Sequence, residues 1–370
     1  MDVQNRSVPF GNPSSQHGEG RAAKLALEDA RIRCASVLNV PPDCLYFTGS
    51  GTESNSIALL SNLMRKSQGR VIASDAEHSS VRDGLKSLEK LGKNTGKIEV
   101  DAAGRVTPQT FLKALEKYGD ARFAAVMAVN NETGAVTDIA GIRDVIRKQK
   151  EKESSAPVHL HCDLVQAAGK IPVRIEDWEI DSASISAHKI SGPRGIGLLY
   201  LRRKSGLEVL YSGGGQENGI RGGTENTEGA AALASCLEKY ACPDMVKENY
   251  ERAKKRFDKL ITSLAAMERC VIIPKERVTS GAELFSPYIL QAAFKDIPGE
   301  VMTRALDDLG FAVSTGSACS SSSPERPVLA AMGVDEKLSL EGIRISQGWS
   351  TTDEEIDLLI EAIAEVLKFL

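Results

Sequence analysis

Ser186-Ala187-His188-Lys189 closes an apolar alternating run, 180–185, and opens onto a glycine-rich exit, Ser191-Gly192-Pro193-Arg194-Gly195-Ile196-Gly197. A lysine at the end of a buried strand is costly as an ammonium ion. Burial disfavours the charged form, lowers the pKa and leaves a nucleophilic amine. One stable use of such an amine is a Schiff base to pyridoxal phosphate. The other reading is a strand-end lysine that snorkels to water, and the tetrad alone leaves both open.

Around the tetrad, apolar runs alternate with helical patterns from about residue 20 to residue 203. Strands are expected at 45–48, 70–74, 123–129, 157–163, 182–186 and 195–201, and helices at 20–38, 52–66, 79–91, 107–117 and 139–150. Thr107-Pro108 is a cap followed by a first-turn proline. This alternation points to an α/β fold, a largely parallel sheet covered by helices on both faces. After about residue 240 the pattern changes to a charged helix (246–266), strands near 270–274 and 288–294, and helices near 299–309 and 353–368. The expectation is a large domain, 1–240, and a smaller α+β domain, 241–370, which suits a chain of 370 residues. The segment 314–327, rich in Ser and Pro, reads as a flexible loop.

Composition narrows the function classes. A net charge of −4 suits neither a nucleic-acid binder nor a basic membrane-surface protein. No apolar run approaches the roughly 20 residues of a membrane span, and residues 1–16 are polar and lack a signal core. Seven cysteines, with no Cys-x-x-Cys pair, argue for free thiols and a reducing, cytoplasmic location.

Several short motifs carry chemistry. Gly49-Ser50-Gly51-Thr52-Glu53-Ser54-Asn55 follows a strand and opens a helix, a place where backbone amides and the helix dipole receive a phosphate; an ordinary turn has the same composition. His78, in Ala76-Glu77-His78-Ser79-Ser80, stands at a strand end where an imidazole can stack on an aromatic cofactor. Asn130-Asn131-Glu132-Thr133-Gly134 lies after the strand 123–129, at the edge where open α/β sheets bind ligands. In His159-Leu160-His161-Cys162-Asp163 the two imidazoles and the carboxylate share a strand face. A metal there lacks an obvious fourth ligand. The competing reading sets Asp163 against a pyridinium nitrogen, which keeps the ring an electron sink, with Gln166 near the ring oxygen. Gly213-Gly214-Gly215-Gln216-Glu217 and Arg221-Gly222-Gly223-Thr224-Glu225-Asn226 look like a second anion-handling loop or a flexible surface loop. Cys319 is the one cysteine in a polar loop, where a thiol can reach a target and ionise. Arg344, in the apolar strand Gly342-Ile343-Arg344-Ile345-Ser346, suits bidentate carboxylate binding or a structural ion pair.

Taken together with Phe10-Gly11-Asn12-Pro13-Ser14-Ser15, the ordered set resembles the group I cysteine desulfurases, which include the nitrogen-fixation and housekeeping iron–sulfur assembly enzymes. The match runs from about residue 10 to the end. The resemblance implies fold type I of the pyridoxal phosphate enzymes, with a mainly parallel seven-stranded sheet, and a homodimer with sites at the subunit interface. It implies that Lys189 carries the cofactor and shuttles a proton, that His78 stacks on the ring, and that Asp163 holds the ring nitrogen. Asn131 and Gln166 would lie near the ring oxygen and the substrate. Gly51, Thr52, Ser186 and His188 would hold the phosphate, with Thr224 from the other subunit. Arg344 would grip the α-carboxylate of L-cysteine, and Cys319 would take its sulfur as a persulfide, leaving alanine. The sulfur would pass to an acceptor such as an iron–sulfur scaffold protein, or to tRNA thiolation. No metal and no nucleic-acid or membrane partner is expected.

Three features depart from the family. Its early Asp-Asn-Ala-Ala-Thr-Thr stretch, which contributes to the active-site wall, is not in this sequence, so either an incomplete site or a truncated chain is expected. Its Gly-Arg-Phe-Thr segment reads Gly348-Trp349-Ser350-Thr351 here, and the chain stops at Leu370, without the tail used in scaffold docking. A selenocysteine lyase or a class V aminotransferase shares the implied fold, although the serine-rich Cys319 loop argues against the aminotransferase. A non-catalytic dimeric scaffold rests only on the absent stretch.

Overall fold

A computed structural model describes residues 9–65, 69–153, 157–202, 207–210, 213–279, 284–316 and 326–370. Seven strands form one sheet: β1 (Leu45–Thr48), β2 (Arg70–Ser74), β3 (Thr95–Ile98), β4 (Ala121–Met127), β5 (His159–Asp163), β6 (Ser182–Ser186) and β7 (Gly197–Leu201). Their order is β1-β7-β6-β5-β4-β2-β3. From β6 to β3 all neighbours are parallel, and β7 runs antiparallel to both β6 and β1.

Alternation along the strands explains why both faces are covered. Phe47, Ile72, Ala124, Val126, Leu198 and Tyr200 enter one apolar cluster with residues of the helices α1 (Gly18–Leu38), α4 (Pro108–Lys117), α5 (Ile139–Glu153) and α6 (Thr227–Tyr240). Their neighbours Tyr46, Val71, Ala73, Phe123, Ala125, Leu199 and Leu201 point the other way, toward α2 (Gly51–Leu60) and α3 (Ser79–Lys90). Each face removes apolar area from water at about 25 cal/mol per Å², so a charge introduced at either set is opposed by burial. This is the doubly covered α/β fold that the βα alternation predicts.

The later part of the chain builds a second, antiparallel sheet in the order β10-β9-β8, from β8 (Cys270–Ile273), β9 (Ile289–Phe294) and β10 (Gly342–Ser346). Its core draws Phe257, Leu260 and Leu264 from α7 (Pro243–Ala265), Met302 and Leu306 from α9 (Gly299–Asp308), and Ile356, Leu359 and Ile363 from α12 (Asp353–Phe369). Thr352 and Glu355 form a capping box that starts α12. The short helices α8 (Glu276–Thr279), α10 (Pro327–Ala331) and α11 (Glu336–Leu340) fill the connections.

Besides the short helices α8, α10 and α11, two longer-range elements are not foreseen by pattern. Strand β3, Thr-Gly-Lys-Ile, has only one large apolar residue, and it forms because parallel pairing with β2 holds an edge strand there. Helix α6 is rich in alanine and shows a weak apolar stripe; packing against α1 orders it, burying Ala230, Leu233, Ala234 and Leu237. The helix expected over 52–66 ends at Leu60 and tightens into a 3₁₀ turn over Ser61–Leu63. The loop expected over 314–327 is described only at its two ends: Ser314 pairs with the Arg344 backbone, and Pro327 begins α10.

Candidate active site

The carboxyl ends of β2, β4, β5 and β6 lie along one edge of the large sheet, and the candidate residues follow them. Asp163 ends β5. Its Oδ1 accepts the Val165 amide at 2.9 Å and its Oδ2 accepts Asn55 Nδ2 at 2.8 Å. The Asn55 amide is 1% exposed and works at full capacity. Its Nδ2 also donates to Ser80 Oγ at 2.9 Å, while its Oδ1 meets His161 Nε2 at 2.9 Å and accepts the Ser184 hydroxyl at 2.6 Å. One amide thus fixes Asp163 to α2, α3, β5 and β6. Sequence spacing gives no hint that residue 55 serves residue 163.

His78 caps α3, its Nδ1 accepting the Ser80 amide at 3.2 Å. Burial pushes its pKa down, Asp163 pulls it up, and Arg82 and Lys189 push it down again. The neighbouring Glu77 carboxyl is completely buried beside Asp163, accepts the Met127 amide at 2.7 Å, and is held well toward its neutral form by burial and by the Asp163 charge. Asp163 and, more weakly, Asp83 are the carboxylates that act on His78.

Lys189 sits in a 3₁₀ turn, Ala187–Ile190, directly after β6. Ser191, in the left-handed region at φ 59°, closes the turn, and the Gly192 amide donates to Ala187 O at 2.8 Å. A Cβ on Gly192 would lie 2.9 Å from both Ala187 Cβ and its carbonyl oxygen, so only glycine fits. Ser186 Oγ and His188 Nδ1 stand 2.8 Å apart at the start of the same turn. Burial lowers the His188 pKa, and Lys189 and Arg194 lower it further.

Gly51 is the first residue of α2, behind the Ser50 cap. A Cβ there would fall 2.7 Å from Val165 Cγ2 and 3.3 Å from Ser186 Cβ. The missing side chain lets the helix N-terminus close onto the end of β6. Thr52 is exposed on the first turn. Thr224 is also exposed, and Arg221 ties its loop to α2 through Glu53 Oε1 at 3.4 Å.

Arg344 reaches the same edge from β10, donating Nη1 to Asn131 O at 3.2 Å. Burial lowers its pKa, and Glu132 raises it. Glu132 is 3% exposed and is the main counter-charge for Arg344 and Arg326; sequence reading quotes it only as part of a motif. Asn131 Oδ1 is buried without a hydrogen-bond partner among the described residues. Gln166 accepts Lys170 Nζ at 2.5 Å. Trp349, which stands in the departing segment, stacks on Tyr240 with ring centroids 4.5 Å apart. A cavity of about 840 Å³ opens between α3, β2–β3 and α10–α11, lined by Arg82, Tyr118 and Arg326, and it contains none of the candidate residues.

Cys319 lies outside the described residues. Of the others, Cys34 and Cys162 are buried; burial pushes the thiols of Cys34 and Cys270 up to about 12 and that of Cys162 well above its ordinary value. None of these three is poised as a nucleophile.

His159 and His161 do share a face with Asp163, and both turn a ring nitrogen to Ser182 Oγ at 2.8 Å. His159 also stacks on Phe123 with centroids 5.0 Å apart. Among the described residues no group of three or more acidic, His or Cys side chains has metal-binding geometry. Burial pushes both imidazoles down to about 3. They stay neutral in the folded chain and take up protons on unfolding below about pH 6.5. Stability is therefore expected to fall as pH drops from about 6.5 toward 3. The urea midpoint should fall less steeply across that window in a His159→Gln variant; an unchanged slope would remove His159 from the cause.

The class-V aminotransferase model matches residues 7–359. The chain belongs to that family. It is 36% identical over 363 residues to a NifS/IcsS protein homolog of Lactobacillus delbrueckii subsp. bulgaricus, covering 97% of this chain and 90% of the relative. It is 35% identical over 360 residues to the cysteine desulfurase IscS of Vibrio cholerae, covering 96% of this chain and 84% of the relative. A solved NifS-like protein superposes with a TM-score of 0.86 at 34% identity, covering all of this chain and 94% of that one.

Pyridoxal phosphate is the cofactor of this class-V family. The residues present fit it. The Asp163 carboxylate is fixed by two hydrogen bonds, the Asn131 acceptor is orphaned, and the Gly51 close approach brings a helix N-terminus to Ser186 and His188.

Proposed function

We propose that the chain is a pyridoxal phosphate-dependent cysteine desulfurase that converts L-cysteine to L-alanine. The observation that carries this reading is that Asp163, His78, Lys189 and Arg344 come from four separate elements to one edge, where Asp163 and Lys189 both act on the charge of His78, and Lys189 and Arg344 both act on that of Lys170. When bound, the cofactor supplies an electron-withdrawing ring. Asp163 holds the ring nitrogen, His78 presents its flat neutral ring, and Gly51, Thr52, Ser186 and His188 hold the phosphate. Lys189 attaches the cofactor and moves a proton at its Nζ. Arg344 binds the substrate carboxylate in its guanidinium fork, and Asn131 and Gln166 orient the ring oxygen and the substrate.

The net chemistry balances without an external oxidant. The Cβ–S bond of cysteine breaks, an S–S bond to the Cys319 thiolate forms, and the product leaves as alanine. The persulfide then passes to an acceptor protein of iron–sulfur assembly or to tRNA thiolation. The reading includes a division of the chain near residue 240, a homodimer in which Thr224 completes the partner's phosphate site, and a cytoplasmic location. In support, no described helix is long and apolar enough to cross a membrane.

The test is an absorption spectrum of the purified chain before and after L-cysteine, with alanine and sulfide assayed in the same tube. A visible cofactor band that shifts with cysteine, with alanine released, is expected. A protein that takes up no cofactor, or a coloured one that ignores cysteine, would refute the reading. Cys319→Ala is expected to keep the colour and lose sustained alanine release.

A further inference from the structure

Lys170 is a buried amine. It is 9% exposed, and among the described residues the charges that act on it are those of Lys189 and Arg344, with no carboxylate beside them. Its recorded hydrogen bond donates Nζ to Gln166 Oε1 at 2.5 Å, one helical turn back in the chain. The backbone between them is built for this return. Gly169 takes φ +74°, and a Cβ there would lie 3.3 Å from both Ile190 Cγ2 and Trp349 Cζ2 and 3.4 Å from Tyr240 O. The Lys170 amide then closes on Ala167 O at 3.0 Å.

An amide oxygen and nitrogen are interchangeable in shape but not in chemistry. A lysine amine in its charged form has only donors, so it selects the oxygen of Gln166 and turns Nε2 away. We propose that Lys170 is a positioning residue, which locks the Gln166 side chain so that its N–H₂ faces the cofactor site. The inference rests on the reading of Gln166 as a cofactor contact. Burial, then the charges of Lys189 and Arg344, press the Lys170 pKa down to about 7. The chain keeps a costly group there, and a pure packing role would be filled by methionine.

The experiment is a double-mutant cycle on the dissociation constant of pyridoxal phosphate, with thermal melts of each chain. Gln166→Ala and Lys170→Met are each expected to weaken binding about tenfold, the scale of one charge-assisted hydrogen bond. The double variant should be no weaker than Gln166→Ala, because Lys170 acts through that amide. Lys170→Arg keeps a donor-only group for Gln166 and should stay within about twofold of the parent. It also serves if the Met variant does not fold. Multiplying effects in the double variant, or a Lys170→Arg chain as weak as expected for Met, would overturn the inference. A Gln166→Ala chain that binds normally, beside a parent that binds, would remove Gln166 from the site and overturn it too. A parent that binds no cofactor would refute the proposed function instead; Lys170 would then be tested by the same cycle on the melting temperature, where independence of the two sites would overturn the lock.

Discussion

A Lys189→Ala chain is expected to fold like its parent and to release alanine from L-cysteine at least about 1,000-fold more slowly. The argument is positional. Lys189 stands in a one-turn 3₁₀ element whose entry is β6 and whose exit, Ser191-Gly192, admits no other geometry without strain or a clash against Ala187. The turn leaves little freedom for another group to take its place. The other buried amine at this edge, Lys170, is committed to Gln166. Under the proposed function, removing one amine therefore removes both the attachment point and the proton carrier. The unfolding free energy from urea titration should change by no more than about 1 kcal/mol, since the side chain is half-buried and the turn is closed by backbone bonds. Added methylamine, small enough to occupy the vacated space, should restore a measurable fraction of the rate. Turnover within tenfold of the parent would remove Lys189 from the chemistry.

How much of this was legible beforehand depends on the range over which each feature acts. The doubly covered sheet follows from local alternation, and six of its seven strands have their ends within two residues of expectation because apolar runs and polar turns share the same boundaries. Lys189 is legible because an ionisable group terminating an apolar run is locally anomalous. Asp163 is legible for the same reason. Their supports are not. Asn55 reads as an ordinary polar residue of a helix, and its role exists only because β5, β6 and α3 converge on it. Glu132 and Lys170 likewise gain meaning from burial and from neighbouring cations distant in sequence, Arg344 of the second sheet among them. Strand β3 and helix α6 depend on tertiary partners for their order, so their own periodicity is weak.

The glycine loop beginning at 213 shows the same limit and yields the largest stability effect. Read as sequence, it is an anion-handling loop. In the fold, its Glu217 is itself the anion. The side chain is 1% exposed and forms a fork with Arg31 of α1, two N–H···O bonds of 2.8 Å each. Glu217 Oε2 also accepts the Phe47 amide at 2.8 Å, and Arg31 Nη1 also donates to Leu45 O at 2.7 Å. Both backbone groups belong to β1, the edge strand of the large sheet. The pair therefore satisfies an open sheet edge and pins α1 and the loop to it, with Glu217 held at φ +47° to do so.

Glu217→Ala leaves a buried guanidinium without its counter-charge and a buried amide without an acceptor. The expected cost is about 3–5 kcal/mol, the range for breaking one half of a buried pair. Arg31→Met should cost a similar amount by stranding the carboxylate. The double variant should recover part of the loss, since no lone charge remains, but not all of it, because Phe47 and Leu45 stay unpaired. Urea unfolding of the four chains decides the matter. Additive losses in the double variant would mean that the two residues act independently, and a loss below about 1 kcal/mol in either single variant would mean that water reaches the pair.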